Sequence, residues 1–256
     1  MNTGPGPRAV AIIPARLGST RMPEKILASE TGRPLVEHVR ERASLARTIE
    51  RVVVATDHPR IADALTARGA EVVMTSPDHP NGTSRLAEAS TILGLAPDAI
   101  VVNVQGDEPE VEPGASDAAV ELRAERAAPV STIGSPFFEG EDPANPNIVK
   151  VVRTLDASAL YFSRGLIPHR RDPAEPLAEG GGPVKHVGLY VYRKWLLDRY
   201  VTLTPTPLEQ TEKLEQLRIM EHGYRIAVAI HPCAGGGIDT PEQYRAFVER
   251  WNRARA

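Results

Sequence analysis

Val10-Ala11-Ile12-Ile13-Pro14-Ala15-Arg16-Leu17-Gly18-Ser19-Thr20-Arg21-Met22-Pro23-Glu24-Lys25 sets a short apolar run directly against a basic loop. Val10 to Pro14 is too short for a helix and rich in β-branched residues, which predicts a buried strand. The carboxyl ends of strands in a parallel sheet open onto the ligand crevice, so a loop leaving such a strand faces whatever the sheet binds. From Pro14 and Ala15 onward, Arg16, Arg21 and Lys25 supply positive charge. Gly18, with the hydroxyl-bearing Ser19 and Thr20, lets backbone amides approach phosphate oxygens closely. The loop is neither Gly-x-x-x-x-Gly-Lys-Ser/Thr nor Gly-x-Gly-x-x-Gly. On pattern alone, a surface loop with solvated arginines fits it as well.

Outward from this stretch, short apolar runs alternate with segments of helical period. Pro34 to Ala46 carries Leu35, Val39 and Ala43 at helical spacing; Arg51 to Ala55 reads as a strand, the segment after Pro59 as a helix and Glu71 to Met74 as a strand. Leu86 to Leu93 reads as a helix, Ala99 to Val104 as a strand, Gly114 to Arg126 as a helix, and a strand follows near Val130. This alternation predicts an α/β fold with a doubly wound, mostly parallel sheet. From Phe137 to Tyr192 prolines and the Gly180 to Gly182 triplet change the character of the chain, which suggests an inserted, smaller α+β element. The expected organisation is a loose N-terminus over 1–8, a main α/β domain over 9–136 and 223–256, and a smaller element over 137–222. Within the latter, Val184 to Tyr192 reads as a strand and Leu208 to His222 as one charged helix; Ile226 to Ile230 returns to the sheet.

The 256 residues, 41% hydrophobic and 25% charged, have the balance of an ordinary folded protein. A formal net charge of -3 gives no global attraction to nucleic acid or to an anionic membrane, so an anionic ligand needs a local basic site. The one cysteine, Cys233, excludes an intrachain disulfide and a cysteine-rich zinc site. No apolar run approaches the roughly 20 residues that span a bilayer, and the first residues lack a signal-peptide stretch. A cytoplasmic protein is expected.

Asn103-Val104-Gln105-Gly106-Asp107-Glu108-Pro109 ends an apolar strand in a glycine and two acids. A carboxylate there points into the same crevice as the basic loop, and the two make sense together around a polyphosphate and a hard cation. Magnesium takes one or two carboxylates with substrate oxygens, a need that Asp107 and the distant Asp239 would meet. Read singly, Asp107 is equally a turn residue and Asp239 a helix-start acid. After Asp239, Thr240 is a cap, Pro241 suits the first helical position and Gln243 completes a capping box, with Tyr244, Phe247, Val248 and Trp251 on one apolar face. That helix start would hold Asp239 in place. In the second half, Lys150, Tyr161 to Arg164, Lys185 to Tyr190 and Leu214 to Leu217 mix cations, hydroxyls, amides and carboxylates, a set suited to an acidic polyhydroxylated sugar. Each of these residues alone is as readily a packing or surface residue.

Taken together, these segments resemble the 3-deoxy-manno-octulosonate (KDO) cytidylyltransferase family. Ile12 to Lys25 is similar to its signature loop. Val54 to Asp57, Asn81-Gly82-Thr83, Val102 to Pro109, Ala159 to Arg164, His186 to Tyr190, Lys213 to Arg218 and Asp239 to Glu242 follow in the family's order. The resemblance implies a nucleotide-diphospho-sugar transferase-like fold, nucleotide binding by 9–136 and 223–256, sugar binding and dimerisation by 137–222, a homodimer, and CTP and KDO as substrates. It implies that Pro14, Ala15, Arg16, Gly18, Ser19, Thr20, Arg21 and Lys25 surround the triphosphate, that Gly82, Thr83 and Arg85 lie near the cytidine, and that Asp107 and Asp239 bind Mg2+. Gln105, Arg164, His186, Tyr190, Glu215 and Gln216 would line the sugar site. The chain departs from the family at Ser84, where an acid is usual, and over Pro168 to Gly182. The expected reaction is attack of the sugar's anomeric hydroxyl on the α-phosphorus of CTP, with Arg16, Lys25, Asp107 and Asp239 as the catalytic group. Two other readings stay open: the same chemistry on 8-amino-KDO or another acidic sugar, and a CTP-binding protein without turnover.

Overall fold

Alternate residues of the first strand, β1 (Ala9–Ala15), enter different packing layers, the consequence of a two-residue period in a strand covered on both sides. Ala11, Ile13 and Ala15 pack in the layer that holds Val36, Val39, Ile61 and Leu65. Val10 and Ile12 pack with Val53, Leu86 and Val101 on the opposite face. The computed structural model describes residues 7–19, 21–172 and 174–255. Most of the loose N-terminus expected over 1–8, and the expected phosphate contact Thr20, thus lie outside the described residues.

The remaining strands are β2 (Ile49–Thr56), β3 (Glu71–Met74), β4 (Ile100–Asn103), β5 (Val130–Pro136), β6 (Lys150–Arg153), β7 (Ala159–Ser163), β8 (Val184–Arg193) and β9 (Ile226–Ile230). They form one sheet in the order β3-β2-β1-β4-β8-β5-β9, with β6 paired to β8 and to β7. The first four in this order are mutually parallel, β8 runs antiparallel to β4 and β5, and β5 and β9 are parallel. Helices α1 (Leu35–Ala43), α2 (Pro59–Thr66), α3 (Gly82–Ile92), α4 (Pro113–Glu125), α5 (Lys194–Tyr200), α6 (Pro207–Glu212), α7 (Gln216–Glu221) and α8 (Pro241–Arg253) cover its two faces. This is the doubly wound, mostly parallel α/β architecture that the alternation of segments predicts. No described helix is long and apolar enough to cross a membrane.

Two expectations are corrected. The stretch 137–222 does not stand apart as a unit, because β8 lies inside the main sheet between β4 and β5. Its side chains are buried on both faces, Leu189 and Val191 in one layer and Tyr190 and Tyr192 in the other. What remains outside the main path is the β6–β7 pair. The single helix expected over Leu208 to His222 is two short ones, α6 and α7, broken where Lys213 takes a left-handed conformation with φ of 56°. A capping box from Thr206 and Glu209 starts α6, and Arg218 of α7 donates to both carboxylate oxygens of Glu209 at 2.6 and 2.7 Å, tying the two pieces together.

The C-terminal helix forms as the sequence predicts: Thr240 caps α8, Pro241 opens it and Gln243 completes the capping box. Tyr244 and Phe247 pack with Leu35, Ile238 and Met22. Burial of each ring contributes about 2 kcal/mol, and the cluster joins the helix to the basic loop.

Candidate active site

The carboxyl ends of β1 and β4 bring the basic loop and the acidic loop together. Gly106 lies so close to β1 that a Cβ there would sit 2.7 Å from the carbonyl oxygen of Pro14, so this crossing admits only glycine. Beyond the β1 loop a single 3-10 turn, Lys25–Leu27, turns the Lys25 side chain inward. Its ammonium donates to Asp107 Oδ2 at 2.7 Å, Asp239 Oδ1 at 2.9 Å and the Ile238 carbonyl at 2.8 Å. Burial by itself pushes the Lys25 ammonium down, but the charges and hydrogen bonds of Asp107 and Asp239 outweigh it, and the net displacement is upward. Asp239 also pairs with Arg21 at 2.7 Å, and its backbone N–H donates to Gln243 Oε1 at 2.7 Å. The start of α8 therefore holds Asp239, and the Ile238 N–H, which donates to the Asp107 carbonyl at 2.9 Å, closes the pair.

These groups border an open cavity of about 700 Å3. Pro14, Ala15, Arg16, Gly18, Ser19, Arg21, Lys25, Gly82, Arg85, Gln105, Asp107, Glu215 and Asp239 all line it. Arg16 is exposed and makes no ion pair with a described residue. Arg85 is buried, its guanidinium donating to Thr75 Oγ1 at 2.7 Å and to Asp57 Oδ2 at 3.1 Å.

A second cavity of about 220 Å3 adjoins the first and shares Gly82, Gln105 and Glu215 with it. Its walls include the expected Gln105, His186, Tyr190, Glu215 and Gln216, as well as Thr83, which was expected beside the nucleotide. Burial holds the His186 imidazole down at about 3, so the ring is neutral. Thr132 Oγ1 gives its hydrogen to the Leu189 carbonyl at 2.7 Å and accepts from His186 Nε2 at 3.0 Å, which leaves Nδ1 as a bare acceptor. Glu215 is raised by burial, against the hydrogen bond from Thr83 Oγ1 at 3.1 Å. Among the described residues, the Tyr190 hydroxyl, Asn103 Oδ1 and Gln216 Nε2 are buried without a hydrogen-bond partner, and all three residues line this cavity. Unpartnered polar atoms that converge on one hollow mark a place built for a polar ligand.

Arg164 is not brought to either cavity; its guanidinium donates to the backbone carbonyls of Glu212 and Pro146. Asn103, Tyr192, Tyr200 and Lys213 line the smaller cavity without having been singled out from the sequence. Asn103 was legible, since it sits two residues before Gln105 at the end of β4 and so faces the same side.

Comparison with known proteins bears on which ligands such walls serve. The profile of the cytidylyltransferase family matches residues 10–226. A 3-deoxy-manno-octulosonate cytidylyltransferase from Syntrophobacter fumaroxidans is 46% identical over 242 residues, covering 94% of this chain and 96% of its own. The chain belongs to the KDO cytidylyltransferase family. The protein of the same name from Herminiimonas arsenicoxydans is 47% identical over 236 residues, covering 90% of this chain and 94% of its own. A solved CMP:2-keto-3-deoxy-manno-octonic acid synthetase complexed with CTP superposes with a TM-score of 0.88 at 39% identity, covering 96% of this chain and 99% of its own. The inositol-1-phosphate CTP transferase from T. maritima shares the fold, with a TM-score of 0.69 at 15% identity, covering 98% of this chain and 97% of its own. In this KDO cytidylyltransferase family member, the cation-lined cavity and the smaller polar one adjoin across Gly82, Gln105 and Glu215.

Proposed function

We propose that the protein couples CTP to KDO, giving CMP-KDO and pyrophosphate. The observation that carries this reading is the contact between the two cavities: one ringed by Arg16, Arg21, Lys25 and Arg85, the other walled by hydrogen-bonding groups such as Asn103, His186, Tyr190 and Gln216, with Gly82, Gln105 and Glu215 common to both. A nucleotide in the first and a sugar in the second would meet at that wall. Arg16, Arg21 and Lys25 hold the triphosphate and stabilise the departing pyrophosphate, while the second cavity orients the anomeric hydroxyl toward the α-phosphorus. His186 Nδ1, Tyr190, Asn103, Glu215 and Gln216 exchange hydrogen bonds with the sugar hydroxyls.

Asp107 and Asp239 approach one point from two sides, both within hydrogen-bond reach of a single nitrogen, Lys25 Nζ. Two carboxylates converging beside a phosphate cavity fit magnesium, which completes its shell with substrate oxygens and water. The ion would offset charge on the α-phosphate and acidify the attacking hydroxyl. No side-chain base is assigned.

We further propose that the chain forms a homodimer through the β7 side of the molecule. Among the described strands β7 pairs only with β6, and Leu155, Leu160 and Leu166 around it are exposed, an edge and an apolar surface that a second copy would cover. Sedimentation velocity tests this, a monomer at micromolar concentration standing against it.

Pyrophosphate release from CTP, Mg2+ and KDO, with controls lacking each, tests the reaction. Release that needs all three supports it; release only with 8-amino-KDO or another acidic sugar moves the acceptor, and CTP binding without release from any acceptor overturns it.

A further inference from the structure

The larger cavity has one wall that neither the phosphate loop nor the aspartates supply. It is the loop 76–81 between β3 and α3, which contributes His79. The His79 side chain is 15% exposed, and both ring nitrogens are taken: Nε2 lies 2.5 Å from Glu88 Oε2 and Nδ1 lies 3.1 Å from Ser84 Oγ. Glu88 is an acceptor, and its Oε2 also takes the Ser76 N–H at 2.8 Å, so Nε2 donates to it. Ser84 Oγ also lies 3.0 Å from the Asn81 carbonyl. The neighbouring charges are already engaged: Arg85 with Asp57, and Asp78 with the Ser76 hydroxyl.

We propose that His79 is a positioning residue for the nucleotide: a ring whose two nitrogens pin the loop 76–81 to α3, leaving its ring carbons to pack against the pyrimidine nucleoside. The inference rests on the function proposed above. Arg16, Arg21 and Lys25 claim the phosphate end of the cavity, and the wall from His79 to Gly82 and Arg85 is what remains for the base and ribose. Gly82 brings that wall against β1, a Cβ there lying 3.4 Å from Pro14 Cγ. With both nitrogens engaged, His79 has no free polar atom to read a base edge, and its ring packs against the face of an aromatic base.

The test uses the full chain with His79→Gln, Ser84→Ala and Ser84→Asp. Removing a charge-assisted brace of this kind is expected to raise KM for CTP by about tenfold in His79→Gln, with kcat and KM for the sugar within about twofold of wild type. Ser84→Ala shifts KM for CTP the same way and covers the case in which His79→Gln does not fold. Ser84→Asp, which keeps a polar partner beside Nδ1, returns it toward wild type. An unchanged KM for CTP or a parallel rise in both KM values overturns the proposal. A wild-type chain that does not turn over CTP sinks the proposed function instead, and calorimetric titration of CTP into wild type and His79→Gln then still decides the role of His79.

Discussion

The ammonium of Lys25 lies 2.7 Å from the carboxylate of Asp107, a residue 82 positions away, and the same nitrogen reaches Asp239 at 2.9 Å. The three groups form one unit at the point where the β1 loop, the β4 loop and the start of α8 meet. Asp107→Asn removes a charge from this unit and is expected to lower the rate at least about a hundredfold, or roughly 2.7 kcal/mol of barrier. Single-turnover pyrophosphate release measures it, and full activity would take Asp107 out of the mechanism.

Tyr190→Phe separates binding from folding. The Tyr190 hydroxyl is buried without a partner among the described residues, so its removal takes nothing from the fold and relieves an unsatisfied group. The thermal midpoint is expected to hold or rise slightly, while KM for the sugar rises by about tenfold. Loss of stability with an unchanged KM would mean that the hydroxyl serves packing and not the ligand.

The cap of α8 is expected to act at a distance. Thr240→Ala removes the acceptor of the Gln243 N–H and loosens the side chain that holds the Asp239 amide. Stability is expected to fall by about 1 kcal/mol, seen in urea unfolding, and kcat to fall with it while KM for the sugar stays in place.

Acid sensitivity follows from two buried imidazoles. Burial lowers His186 to about 3; burial, then the charges of Arg33 and Arg255, lower His38 to about 4. Both pKa values are depressed, so the unfolded chain binds more protons than the folded one between the ordinary histidine value and these. Stability is fully present above about pH 6.5 and is lost as pH falls toward about 4 and then about 3. Melting curves from pH 7.5 to pH 4 check the slope, and His38→Gln is expected to flatten it. A midpoint that rises on acidification would contradict the assignment.

The sequence was most legible where a pattern is local. Glu71 to Met74 and Ile226 to Ile230 are apolar runs with clear ends, and the strands coincide with them; the Thr240-Pro241-Gln243 start of α8 announces itself by side-chain chemistry. The break at Lys213 was not legible, because nothing marks a lysine for positive φ as a glycine would be marked. The placement of β8 was hidden too: its aromatic residues serve a layer formed by distant helices, and mixed polarity made it look peripheral. Within the site, motif membership brought in most of the lining, but it cannot tell a ligand contact from a brace. Arg164 matched a family segment, yet its guanidinium serves the backbone around it. The tie from Lys25 to Asp107 and Asp239 spans most of the chain and leaves no local trace.

The interruption at Lys213 bears on how this catalyst can change its diet. Glu215 and Gln216 hang from a short articulated bracket, α6 and α7, braced by the Glu209–Arg218 clasp and by Glu221, which accepts the Leu208 and Glu209 N–H groups, whereas Arg16 and Asp107 follow the ends of β1 and β4 and Lys25 sits in the 3-10 turn beyond the β1 loop. On the proposed assignment of the two cavities, the acceptor side is an interchangeable jaw on a fixed anvil. Libraries confined to 206–221 are then expected to reshape which acid sugar is gripped while the proposed triphosphate seat, set by the sheet, stays where it is.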